Sequence, residues 1–462
     1  MPCKIKGVRK ERENPTYLSQ EDEKETIMRA ETEKLLKKSW NIFPALLKRA
    51  DLSEEMTAEM REERRSITEY NQLRVCAAFC EERVEEHHFA GSTGYGFHDS
   101  GRDTLDRLFA RIFGGEEALV RWQFVSGTHA LASILFGNLR PGDRWLSIVG
   151  APYDTLHPVI DGSSQWPGSL REWGIEYDEI SLTSDHRIDT EKLSEAMTEN
   201  TRLVYIQRSL GYTFRPSLSL ETLTEAIGNI KSLQPSCRVM VDNCYGEFVE
   251  ISEPLHCGAD IIGGSLIKNS GGGIAPAGGY IAGKADMVRR AAVYLTSPGI
   301  GPDEGATLGI NRLLFQGLFM APSVVGQAVE GAIWAAHLLE SLGFRVLPSW
   351  DGKRTDIIQA VMLGSKASQR AFCRGIQKSS PVDSFAVPEA VSMPGYRDPI
   401  IMSGGTFIQG SSIELSADGP EREPYAVYLQ GGLSYHHVKA GVLCALQELL
   451  NEGILNGDRL EY

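Results

Sequence analysis

Residues 259–283 read ADIIGGSLIKNSGGGIAPAGGYIAG. The run ADIIGGSLI has the length and composition of a short buried strand, and it delivers Lys268 just before three consecutive glycines. A lysine with apolar neighbours on one side and glycine backbone on the other is poorly solvated. That predicts a lowered ammonium pKa and an amine able to form a Schiff base with a carbonyl. A lysine snorkelling to the surface would leave the glycines unexplained.

Around this stretch, helical patterns alternate with short apolar runs. DTLDRLFARIF (103–113), THALASILFGNL (128–139) and SLETLTEAIGNIKSL (219–233) read as helices. WLSIVG (145–150), TRLVYIQ (201–207) and RVMVDN (238–243) read as strands, and FVS (124–126) as a strand end. Strands separated by ten to fifteen helical residues predict βαβ units and a mostly parallel sheet. A long helical stretch follows at 323–343. FRVLPSW (344–350), DIIQAVMLG (356–364) and the segment around TFIQGSSIELSADG (406–419) then predict a smaller α+β domain, closed by a helix over 437–453. The charged first 70 residues read as amphipathic helices, clearest from Ile27 to Trp40, that form an arm on the body or on a partner subunit. The predicted division is a helical segment at 1–70, a large α/β domain at 71–330 and a small α+β domain at 331–462.

The 462 residues carry 47 Lys and Arg against 61 Asp and Glu, a net charge of −14, which argues against a nucleic-acid surface. No run approaches the ~20 apolar residues that span a bilayer, and the basic N-terminus is followed by no apolar core. A cytoplasmic protein without a membrane partner is expected. The eight cysteines form no CxxC pair, and Cys76 and Cys80 read as buried small apolar residues rather than metal ligands. No metal site is expected.

Two further places share the geometry of Lys268. In FVSGTHALASILF (124–136), Ser126, Gly127 and Thr128 precede a helix, whose first amides and dipole suit a phosphate; an ordinary helix cap has the same sequence. In VMVDNCYGEF (239–248), Asp242 ends a strand and needs a cation or hydrogen bonds there, or else it is a turn residue. In open parallel sheets ligands sit at the carboxyl ends of strands, so the three places should converge. A phosphate cradle, a buried acid and a desolvated lysine together are what pyridoxal 5′-phosphate (PLP) requires. The alternative is a non-catalytic α/β protein that holds a nucleotide phosphate, but neither GxGxxG nor GxxxxGK[ST] occurs in a strand–helix context.

With these residues and the segments at 94–130, 150–162 and 413–433, the chain resembles fold type I PLP enzymes of cysteine and methionine metabolism. More narrowly, it resembles the aluminium resistance, or methionine γ-lyase-like, family of bacterial proteins, over about residues 85 to 440. The resemblance implies that Lys268 carries the cofactor as an internal aldimine and moves the Cα proton, and that Asp242 pairs with the pyridinium nitrogen. Gly127 and Thr128 amides with Ser126 and Ser265 hydroxyls would hold the phosphate. Tyr153 would stack on the ring, and Tyr95 would reach the phosphate of a neighbouring subunit, so that a homodimer or homotetramer shares its sites. Tyr95 or Tyr153 would protonate the leaving group. Arg422 is the candidate clamp for the substrate carboxylate, with Arg208 behind it. Two positions depart from the family pattern: Ile267 replaces a hydroxyl residue before the lysine, and Phe97 replaces a phosphate-binding arginine, for which Arg102 is a substitute. Among the histidines, His129 reads as structural and His98 as nearer the pocket than His87 or His88.

The implied reaction is β- or γ-elimination of an amino acid such as methionine, cystathionine or a cysteine conjugate, giving a 2-oxo acid and ammonia. Transamination, racemisation or γ-replacement on the same scaffold are the rival chemistries.

Overall fold

The apolar runs in the middle of the chain form strands buried on both faces: Leu203 to Ile206 and Val239 to Val241 are each under 2% exposed. Such strands belong to a sheet covered by helices on two sides. The computed structural model describes residues 20–162 and 167–460. The basic start of the chain lies outside them.

Helices α1 (Gln20–Trp40), α2 (Pro44–Met56) and α3 (Ala58–Glu81) come first. The large domain then runs α4 (Ser100–Phe113), β1 (Glu117–Arg121), α5 (Gly127–Asn138), β2 (Arg144–Ser147), α6 (His157–Asp161), β3 (Glu176–Glu179), α7 (Thr190–Ala196), β4 (Thr201–Gln207), α8 (Leu220–Leu233), β5 (Arg238–Asp242), β6 (Ile261–Ser265), β7 (Gly279–Gly283) and α9 (Ala285–Ala292). Helix α10 (Asn311–Ser341) leads to β8 (Arg345–Leu347), β9 (Ile358–Met362), α11 (Lys366–Lys378), β10 (Ile400–Ser403), β11 (Ser416–Pro420), β12 (Ala426–Gln430) and α12 (Tyr435–Asn451).

The seven-stranded sheet has the order β1-β7-β6-β5-β4-β2-β3. Its pairings are parallel except for β7, which runs antiparallel to both neighbours. Together with the second, five-stranded antiparallel sheet β10-β11-β12-β9-β8, this is the fold type I architecture. The parallel register sets Gln207 beside Asp242 at the carboxyl ends of β4 and β5, and Asp242 beside Gly263, two residues before the end of β6.

Several sequence expectations shift. FVS is not a strand end, because β1 finishes at Arg121 and 124–126 connects it to α5. The long helix begins at Asn311, and the divisions expected at 70 and 330 fall inside the continuous helices α3 and α10. Cys76 is half-buried and Cys80 is exposed on α3, against the expectation of burial. Among the described helices, α10 is the one long and apolar enough to cross a membrane by length and composition; 78% of that window is buried inside the fold, which makes it a core helix.

The three glycines after Lys268 have a packing reason. A Cβ at Gly272, where φ is +56°, would stand 2.3 Å from the Gly317 carbonyl of α10, and one at Gly271 would stand 1.7 Å from the Leu266 carbonyl. Glycine here lets α10 cross directly behind the lysine loop, in a backbone conformation that a side chain would strain.

Candidate active site

The three strand-end segments do converge. A cavity of about 420 Å³ is lined by Ser126, Gly127, Thr128, Tyr153, Asp242, Ser265 and Lys268, within the range of small-molecule sites. From the large domain it also takes Gln207, Ser209, Tyr212, Cys244, Tyr245 and Ile267; from the small domain it takes Tyr396, Ser411, Ser412, Asp418 and Gln430.

Ser126 caps α5 from an extended backbone, its hydroxyl accepting from the His129 amide at 3.1 Å. The Gly127 and Thr128 amides lie in the first turn, where no helical acceptor exists, and so they are left for an anion. A Cβ at Gly127 would stand 3.2 Å from the Ser265 Cβ and 3.6 Å from the Cys244 sulfur, so glycine keeps this cradle open. Thr128 and Thr155 hydroxyls bond at 2.7 Å beside it. Ser265 accepts from the Ile267 amide at 3.3 Å.

Asp242 is held by the Tyr205 hydroxyl, donating at 3.3 Å, and by the Cys244 amide at 3.1 Å. It is thus a hydrogen-bonded strand-end acid facing the cavity. Lys268 sits 3.9 Å from the centre of the Tyr245 ring. Its pKa moves opposite to the sequence expectation: burial lowers it, but Cys244, Tyr245 and Asp242 outweigh burial and hold the ammonium above the ordinary lysine value. Asp242 is expected beside Lys268, but Cys244 and Tyr245, which the turn after β5 brings across, are not its neighbours along the chain. The Tyr153 hydroxyl bonds that of Tyr396 at 3.0 Å, and burial raises its pKa well above the usual tyrosine value, so the phenol is neutral.

Other expected residues lie elsewhere. Arg208 does not face the cavity. It is wholly buried, donating to the Asn243 side-chain oxygen at 2.9 Å, the Gly246 carbonyl at 3.0 Å and the Glu250 carboxylate at 2.6 Å. Removing one partner of such a buried pair costs about 3–5 kcal/mol, which gives Arg208 a structural role. Arg422 pairs with Asp398 at 2.7 Å, is 40% exposed, and is not among the cavity-lining residues. Arg102 is committed to the Gly96 and Gly305 carbonyls, holding the loop before α4. His98 lines a different cavity, with Arg102, Asp106 and Arg121. His129 accepts from the Val125 amide at 3.3 Å, a structural role, while burial lowers its pKa. Tyr95 is 69% exposed, stacks on Phe97 at 5.4 Å and lines another surface cavity with Trp122 and Thr296.

The sequence reading missed Asp418, Tyr212, Tyr396 and Gln430. Only Asp418 had a local signal, as a carboxylate in an otherwise small and apolar strand.

The donors and acceptors present fit PLP: first-turn amides for a phosphate, a fixed carboxylate for a ring nitrogen, and a lysine for an aldehyde. The Gln207 side-chain oxygen and the Ser411 hydroxyl, both buried on the cavity wall, have no partner among the described residues, as expected where a polar ligand belongs.

Comparison with known proteins agrees. A family model described as methionine gamma-lyase matches residues 46–450. Protein YnbB of Bacillus subtilis is 47% identical over 390 residues, 84% of this chain and 93% of that protein. The structure of a carbon-sulfur lyase involved in aluminum resistance from Clostridium novyi superposes with a TM-score of 0.86 at 46% identity, covering 91% of this chain and 99% of that one. The pyridoxal-5′-phosphate dependent protein YhfS of Escherichia coli shares the fold, with a TM-score of 0.55 at 16% identity over 83% of this chain and 96% of that one.

Proposed function

The chain belongs to the methionine gamma-lyase family, and from that premise we propose that it is a PLP-dependent carbon–sulfur lyase. It eliminates a thiol from Cβ or Cγ of an amino acid and releases a 2-oxo acid and ammonia. The observation that carries this reading is the convergence, in one cavity, of Lys268, Asp242 and the α5 cradle from three separate strand ends.

Gly127 and Thr128 amides with Ser126 and Ser265 hydroxyls hold the phosphate, and the ring of Tyr153 forms one wall. PLP, when bound, supplies the electron sink for the pair left when the Cα–H bond breaks. Asp242 is the carboxylate that would accept from the ring nitrogen and so keep its proton in place, oriented by Tyr205 and the Cys244 amide. Lys268 takes the Cα proton; for a γ-substituted substrate it also takes one from Cβ. Tyr153, a neutral phenol hydrogen-bonded to Tyr396, protonates the departing sulfur in this reading. Tyr95, exposed on its own subunit, is assigned to the phosphate site of a neighbouring copy in a homodimer or homotetramer. For a β-substituted substrate the balance is one water consumed against a thiol, a 2-oxo acid and ammonium released, with no oxidant needed.

The test is a screen of the PLP-loaded protein with cystathionine, methionine and S-substituted cysteines, scored for 2-oxo acid without an added amino acceptor. Stoichiometric 2-oxo acid and ammonia are expected from at least one thioether. Product only when an acceptor 2-oxo acid is supplied would mean aminotransfer instead.

A further inference from the structure

Beyond the groups that fit the cofactor, the cavity holds a second carboxylate. Asp418 stands on β11, where the Tyr212 hydroxyl donates to one oxygen at 2.9 Å and the Gln430 amide donates to the other at 3.0 Å. A carboxylate offers about four lone-pair sites, so roughly half of its capacity remains open. Burial pushes its pKa up to about 6, so at neutral pH it is an ionised acid in a poorly solvated place.

The cation whose charge works against burial at Asp418 is Lys268. Among the described residues that line the cavity, Lys268 is the sole cation, and no arginine reaches it. In the lyase reading, that amine is committed to the cofactor. The Gln207 oxygen, on a side chain that is 6% exposed, is a second acceptor without a partner on the same cavity. A wall that presents a carboxylate and an orphan acceptor, without a guanidinium, is the complement of an ammonium group and repels a second carboxylate. Met393 and Met402 add soft apolar surface suited to a thioether chain.

We propose that Asp418, oriented by Tyr212 and Gln430, recognises an ammonium group on the far arm of the substrate, so that the protein selects diamino acids over monoamino acids. The proposal takes the place of the substrate from the lyase reading, but its test requires no turnover.

Cofactor-loaded wild type and Asp418→Asn are titrated by calorimetry with 2,7-diaminosuberate, which carries no sulfur leaving group, and with 2-aminosuberate, which lacks the second ammonium. Wild type is expected to bind the diamino ligand at least ~10-fold more tightly, a difference of about 1.4 kcal/mol. In Asp418→Asn the preference falls to within about twofold, affinity for 2-aminosuberate rises because its distal carboxylate no longer meets Asp418, and the cofactor absorbance reports an intact site. Tyr212→Phe, which keeps the carboxylate and removes one of its donors, is expected to lose part of the preference. Equal binding of the two ligands by wild type, or a preference that survives in Asp418→Asn, overturns the proposal. Failure of the lyase reading would show separately, as absence of 2-oxo acid in the substrate screen.

Discussion

On one side of the cavity, Ser126, Gly127, Thr128, Asp242, Ser265 and Lys268 each stand within three residues of a strand end or helix start of the large domain. On the other, Tyr396, Ser411, Ser412 and Asp418 come from the loops and antiparallel strands of the small domain, and their partner Tyr212 comes from the loop after β4. The first wall is made largely of backbone: open amides, a close approach at Gly127 and a carboxylate fixed by a neighbouring amide. The second is made of side chains assembled across the molecule. A cofactor common to many enzymes suits the first kind of construction, and substrate choice suits the second, because side chains can change there without moving the sheet.

Breaking the first wall should have the largest effect. Asp242→Asn removes the carboxylate that holds the proton on the ring nitrogen; its amide oxygen can still accept from the Cys244 amide, but its NH2 cannot accept from the Tyr205 hydroxyl. It is expected to lower kcat for 2-oxo acid release by about 100-fold or more, the scale of a lost electrostatic contribution at a reacting centre. A fall in affinity for every thioether with kcat unchanged would place Asp242 in substrate binding instead and dissolve the distinction between the walls.

A smaller effect, on stability alone, sharpens the comparison of the two buried acids. Glu247 lies behind the cofactor wall; burial pushes its pKa up to about 8, against the Tyr280 hydroxyl that donates to it at 2.9 Å. The folded protein therefore binds a proton that the unfolded chain has lost above its ordinary value near 4.5. The resulting stabilisation is full below about pH 4.5 and fades as pH rises towards 8. Glu247→Gln does not titrate, so its Tm should gain on wild type across pH 5 to 8 and hold that gain above it. Parallel Tm curves would contradict the sealed environment assigned to Glu247.

The same division explains what could be read from the sequence. The strands β4, β5 and β6 are continuous apolar runs, and their ends announced Asp242 and Lys268. β3, the exposed edge EYDE, has no apolar signature, and β7 hides in GYIAG because its glycines read as turn. Arg208, one residue beyond β4, looked like a ligand, yet its side chain turns away from the cavity to Glu250; nothing in the local sequence records that direction. The glycines after Lys268 were legible as a close approach but not as an approach by α10, whose Gly317 lies 49 residues on from Lys268. The lysine pKa differs for a related reason: Asp242 was legible as a neighbour of Lys268, but Cys244 and Tyr245 are neighbours in space only.

The central claim concerns one amine, and borohydride reduction of the PLP-loaded protein followed by peptide mapping tests it most directly. The account predicts a single pyridoxyl label on Lys268. A label on another lysine, or none after loading, would contradict it.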